Sequence, residues 1–175
     1  MKMIKSQFMP AFLLSFVILF SMGMAPYPAA KWKKYTSEVC KAKISFPAEF
    51  TEESPEESDY GKTYKVTAED GSTQYFFAAT VHKNPLDEHY ELAKIGLDSF
   101  AESVGGDLSD DGDYIYKSHR GVKGDISKDG VLIRYRTILI GQIQYQIIVI
   151  YTEGAPDAVE EAKASKFFNS FKVLK

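Results

Sequence analysis

"VLIRYRTILIGQIQYQIIVIYTEG", residues 131–154, is the most β-prone stretch of the chain and decides its fold. Val131, Ile133, Tyr135, Thr137 and Leu139 recur at every second position, and so do Ile143, Tyr145, Ile147, Val149 and Tyr151. A period of two places each set on one side of a strand. Gly141 divides the sets, so the stretch predicts a hairpin. A two-residue loop, Gly141-Gln142, would set Arg134 against Val149 and Arg136 against Ile147. A three-residue loop, Ile140 to Gln142, would set Tyr135 opposite Ile147, Thr137 opposite Tyr145 and Arg136 opposite Gln146. A one-residue slip turns a whole strand over. The odd-length loop keeps the two apolar sets together and is the expected register. The opposite face mixes Arg134, Arg136, Gln144 and Gln146 with Ile138, Ile140, Ile148 and Ile150, so part of it needs cover too.

Working outward, "VCKAKISFP" (39–47) alternates, with Cys40, Ala42, Ile44 and Phe46 on one side and Pro47 as its stop, which predicts a half-buried strand. Trp32 and Tyr35 just upstream mark the start of the folded part. "EFTEESPEESD" (49–59) carries six acids and no base and reads as a solvated acidic loop. "KTYKVTAED" (62–70) and "STQYFFAATVHK" (72–83) flank the turn signal Asp70-Gly71. The second is apolar on both parities, which predicts a central strand covered on both faces. Residues 106–130 read as turns with one or two short strands.

Two segments carry helical periodicity. In "PLDEHYELAKIGLDSFAESVGG" (85–106), Leu86, Tyr90, Ala93, Leu97, Phe100 or Ala101, and Val104 make one apolar stripe closed by Gly105-Gly106. "APDAVEEAKASKFFNSFKVL" (155–174) places Pro156 in a first turn, a shallow face of Ala158, Val159 and Ala162, and a deep one of Phe168 and Phe171. Each phenylalanine is worth roughly 1.5–3 kcal/mol if fully buried, and Phe168→Ala should cost about 3–5 kcal/mol. The pieces sum to an α+β fold: one antiparallel sheet of about six strands flanked by helices, in a single domain over residues 32–175.

The 175 residues are 45% hydrophobic and 14% aromatic, ample for a core, and the formal charge of −3 disfavours a nucleic-acid partner. The N-terminus has Lys2 and Lys5, an apolar run from Phe8 to Met24 and then small residues, the layout of a secretory signal peptide over residues 1–25, with cleavage after a position between 23 and 30. The apolar centre, Ala11 to Met22, is short for a span; an uncleaved anchor is the alternative. Losing Lys2 and Lys5 leaves 19 bases against 24 acids, a formal charge of −5. The expected location is therefore exported, periplasmic or secreted. Cys40 is the single cysteine, so no internal disulfide forms, and it reads as a small buried residue.

Several features in order carry a family resemblance: "ISFPAEF" (44–50), the mid-chain helix closed by Gly-Gly, "GVKGDISKDGVLIRYR" (121–136), "QYQIIV" (144–149) and "KFFNSFKVL" (166–174). The chain resembles the PsbP-like family, which shares an α/β/α sandwich with the Ran-binding Mog-type proteins, and is most similar to its small exported bacterial members. The resemblance spans roughly residues 32–175. It implies a non-enzymatic binding or accessory module and transfers no site.

"DLSDDGD" (107–113) puts Asp107, Ser109 and Asp111 at positions 1, 3 and 5 of a calcium loop, with Gly112 sixth and Asp113 after it. Position 12 is Ser118 instead of the bidentate Glu, so a polar turn is the competing reading. His82, His89 and His119 show no zinc spacing. Nucleophile elbows and phosphate loops are missing from the sequence. Arg134 and Arg136, with Lys123 and Lys128 near in sequence, make a candidate face for an anionic ligand or partner, against the reading of solvated charges paired with acidic loops. The expectation is an exported, monomeric, non-enzymatic binding or accessory domain of the envelope, with an envelope metal-binding protein or small hydrolase as the alternative. No cofactor is expected beyond the calcium candidate, and a membrane contact only if the leader stays uncut.

Overall fold

The computed structural model describes residues 31–175; the leader expected over residues 1–25 lies outside them. In chain order the elements are β1 (Lys33–Ser37), β2 (Ala42–Phe46), β3 (Phe50–Glu52), β4 (Glu56–Glu57), β5 (Gly61–Asp70), β6 (Thr73–His82), α1 (His89–Val104), β7 (Asp107–Tyr116), β8 (His119–Lys128), β9 (Val131–Ile140), β10 (Ile143–Tyr151), α2 (Ala158–Ser170) and β11 (Lys172–Val173). Eight strands form one antiparallel sheet in the order β3-β5-β6-β10-β9-β8-β7, with β4 also on β5, and β1-β2-β11 form a second.

The α+β class holds, but the sheet is larger than six strands. Residues 107–128, expected as turns with one or two short strands, are two ten-residue strands. The acidic stretch expected as a loop contributes β3 and β4, whose charges find bases on other elements: Glu49 on Lys33, Glu56 on Lys65, Glu57 on Lys83. The strand expected from Val39 begins only at Ala42, after a turn in which Lys41 takes φ 46°, and it belongs to the small sheet.

The central hairpin takes the register that was not expected. Ile140 pairs with Ile143 across a two-residue loop, Arg136 faces Ile147 and Arg134 faces Val149. Gly141 has φ 61° at the first loop position, the primed-turn geometry that matches strand twist and that glycine adopts without strain. The two apolar sets therefore lie on opposite faces of the sheet. This is stable because both faces are covered, so neither strand is penalised for turning over.

On one face, Tyr75, Phe77 and Ala79 of β6 join Tyr145, Ile147, Val149 and Tyr151 of β10 beneath α2 and the small sheet. On the other, Ala93, Leu97 and Ala101 of α1 pack on Val122, Ile126, Ile133, Tyr135, Leu139 and Ile148. A Cβ on Gly124 would stand 2.7 Å from Leu108 Cδ1 and 3.1 Å from Leu97 Cδ2, so the glycine lets α1 lie directly on β8. The helix starts at His89, later than its periodicity suggested, because Glu88 takes a left-handed φ of 55°. Leu86 in the lead-in still packs on the α1-side core.

The other helix is phased by its phenylalanines. Phe167, Phe168 and Phe171 are 0%, 4% and 3% exposed. Counting back in steps of three and four turns Ala164, Glu161 and Glu160 toward the sheet. Ala158, Val159 and Ala162, expected to form the shallow inner face, are exposed instead. Pro156 precedes the helix rather than opening it. Asp157 is the N-cap, its carboxylate accepting from Val159 N and Glu160 N at 2.8 Å while Glu160 accepts from Asp157 N in a capping box.

Candidate functional site

The seam where α2 crosses β9 is the most unusual charge arrangement among the described residues. Arg134 and Arg136 both point to the α2 side of β9, two residues apart, as strand alternation requires. Arg134 is compensated twice. Its Nε donates to Asp125 of β8 at 3.3 Å and its Nη1 to Glu161 of α2 at 2.5 Å. The Glu161 bond holds the guanidinium more firmly protonated. Burial raises the Asp125 carboxyl above the usual carboxylate range, with Arg134 pulling against it. Beside them Lys163 donates to Asp70 at 2.6 Å, and Thr73 and Ser72 donate to Glu160 at 3.0 and 3.3 Å.

Arg136 has no carboxylate partner among the described residues. Its guanidinium carbon lies 4.0 Å from the Phe168 ring centroid and 5.4 Å from that of Tyr114. Burial lowers its pKa, the direction of a cation short of compensation. Rings attract the charge through their faces but leave the in-plane N–H donors without acceptors. A planar fork of donors suits a carboxylate bound by both oxygens. Lys123, opposite Arg136 on β8, has its ammonium 3.5 Å from Asp110.

Farther along the seam a groove of about 550 Å³ opens between α2, the β7–β8 turn and β11. Lys43, Lys117, Lys172 and Lys175 line it, with Tyr116 and Phe171 as walls, ring centroids 5.3 Å apart. The Tyr116 hydroxyl accepts the Val173 N–H at 2.9 Å.

Of the residues singled out in the sequence, Arg134 and Arg136 lie together, Lys123 joins them, and Lys128 does not. Lys128 caps the end of α1 on the other side, donating to Val104 O at 2.6 Å. The calcium candidates lie on β7. Asp107 and Ser109 share the side of Asp125 and Arg134, whereas Asp113 pairs with Val122 on the α1 side, because the register shifts at a bulge between Ser109 and Gly112. Asp113 accepts from Tyr90 OH and Arg120 Nε, both at 3.0 Å, and Arg120 above all holds its carboxyl below the usual range. Among the described residues no group of three or more His, Cys, Asp or Glu side chains is placed to hold a metal ion. His82 ends β6, His89 opens α1 and His119 opens β8. Sequence reasoning missed the rings that hold Arg136 and the four groove lysines. The alternation Tyr114-Ile115-Tyr116 was the one available hint.

Together these features define a class: an α+β sandwich with a doubly covered antiparallel sheet and an unpaired cation on one helix seam. The fold itself is PsbP-like. The chain is similar to the solution structure of cyanobacterial PsbP (CyanoP) from Synechocystis sp. PCC 6803, with a TM-score of 0.57 and 9% identity, covering 89% of this chain and 98% of that one. A crystal structure from Bacteroides thetaiotaomicron VPI-5482 matches with a TM-score of 0.41 and 11% identity over 82% of this chain and 48% of that one. No protein-family model and no curated protein matches. Among the described residues no helix is long and apolar enough to cross a membrane.

Proposed function

We propose that the chain is an exported, non-enzymatic accessory domain of the cell envelope that works by holding an anionic partner protein on the α2–β9 seam. The observation that carries this reading is Arg136: a partly buried guanidinium between two rings, with no carboxylate partner among the described residues. Leaving a charge uncompensated in a partly buried site costs stability, and an external acceptor restores it. The PsbP-like fold and the leader-like N-terminus support the accessory and exported parts of the reading.

The test is a photo-crosslinking residue in place of Lys123, beside Arg136, in cells of the native organism. One dominant cross-linked species is expected, lost when Arg136→Gln is added. No species, or one indifferent to Arg136→Gln, overturns the docking reading. The mass of the purified protein checks export separately, since an intact Met1 defeats cleavage.

A further inference from the structure

The groove at the C-terminal end of α2 deepens that reading and rests on it. Lys43 and Lys172 are direct cross-strand partners on β2 and β11. Like charges placed opposite one another destabilise a sheet, and neither lysine has an ion-pair partner among the described residues. Lys117 adds a third charge from the β7–β8 turn, its ammonium 5.2 Å from the Tyr116 ring centroid. With Lys175 also on the lining, four lysines, none in an ion pair among the described residues, converge on one depression of a chain whose formal charge is −3.

The groove and Arg136 are neighbouring stations on one track. Tyr114 and Tyr116 stand two residues apart on β7, and Phe168 of α2 lies three residues before Phe171, the extended residue that caps the helix. The first of each pair flanks Arg136 and the second walls the groove. Tyr114 and Tyr116 are set about 6.6 Å apart along β7, the rise of two residues of extended chain. We propose that this track takes an extended, glutamate- or aspartate-rich segment of the partner protein, with one carboxylate on Arg136 and the next on the groove lysines.

Other anions fit less well. The overall negative charge opposes a long polyanion or an anionic bilayer, while cations in contact act within a Debye length of about 8–10 Å. A bilayer also needs apolar side chains beside the charges; of the exposed large ones, Val39, Tyr60 and Ile95 lie off β7 and α2, Ile115 alternates with Tyr114 and Tyr116 and so faces the other side of β7, and Val159 lies in the first turn of α2, at the end away from the groove. A single phosphate spans one station only. Strand addition to β11 is blocked where the Tyr116 hydroxyl already takes the Val173 N–H, so recognition falls to side chains rather than to main-chain pairing.

The experiment titrates the purified protein into a fluorescein-labelled decaglutamate peptide, with decaglutamine as the neutral control. Saturable binding is expected for the acidic peptide alone, weakening at least about tenfold as salt rises from about 50 to about 300 mM. The double variant Lys43→Gln/Lys172→Gln should lose at least about tenfold in affinity while its melting temperature stays level or rises, because a like-charge pair is removed. Absence of saturable binding, equal binding of decaglutamine, displacement by millimolar inorganic phosphate, tighter binding to phosphatidylglycerol vesicles, or undiminished binding by the folded double variant each overturns the acidic segment. A crosslink that persists at Lys123 while the peptide fails overturns only this inference. Absence of any crosslinked species at Lys123 with Arg136 intact overturns the docking reading beneath it.

Discussion

The N-terminal half of α2 is held to the sheet by charge and the C-terminal half by aromatic rings. In the first half Glu160, Glu161 and Lys163 reach Thr73, Arg134 and Asp70. In the second, Phe167 meets Phe46 and Tyr75 at 5.2 Å between centroids, and Phe171 meets Tyr145 at 5.1 Å. The same strand offers an arginine to each half. The polar half closes on Arg134 with Glu161, and Asp125 of β8 supplies a second carboxylate. The aromatic half closes on Arg136 with rings alone, so its donors stay open. One helix therefore contains a self-sufficient joint and an incomplete one, and the incomplete one is where a partner fits.

Substitutions test this contrast. Phe167→Ala should cost the most, about 3–5 kcal/mol by chemical denaturation, since it empties a fully buried ring site between the helix and both sheets. A cost below about 1 kcal/mol would mean the aromatic half does not hold α2. Arg134→Met should cost about 1–3 kcal/mol by leaving Asp125 and Glu161 uncompensated in a partly exposed site. Arg136→Met should differ from wild type by less than about 1 kcal/mol, on the stabilising side, because it removes an uncompensated charge. Equal losses at the two arginines would erase the distinction between the halves. The smallest effect concerns pH. Burial raises the folded-state pKa of Asp125, so its contribution is present below the ordinary carboxylate range and is lost as pH rises through the raised value. The melting temperature of Asp125→Asn should gain on wild type as pH climbs from about 3 to about 7; a constant gap would remove burial as the cause.

Much of the fold was legible because hydrophobic period survives without context. The β9–β10 hairpin, the doubly covered β6, both helices and the buried phenylalanine tail all announce themselves this way. Register was not legible. With Ile148 and Ile150 as apolar as Ile147 and Val149, neither face marks itself as outward, and the turn preference of Gly141 prevailed. The strands of residues 107–128 were hidden because β7 is a sheet edge. Its acids and its bulge at Ser109–Gly112 break the alternation that reveals an inner strand, and both features also discourage edge pairing with another chain. The phase of α2 misled because Ala158 and Val159 look inward by composition while Glu160 and Glu161 look outward, until Arg134 and Thr73 are seen beneath them. At the site, the arginine pair could be read from the sequence. The difference between its members could not, since it depends on Asp125, Glu161, Tyr114 and Phe168 arriving from three other elements.

The pairing of β11 with β2 has a consequence in time. Val173 sits opposite Ala42, and Ser170 Oγ takes the Ser45 N–H at 2.9 Å, contacts between opposite ends of the described chain. Pairings so distant in sequence are slow to find. Until α2 and β11 arrive, the aromatic surface of Tyr75, Phe77 and Tyr145 has no lid. A growing polypeptide thus stays open until α2 and β11 have been added, and over that interval its uncovered rings are the surface most prone to aggregation.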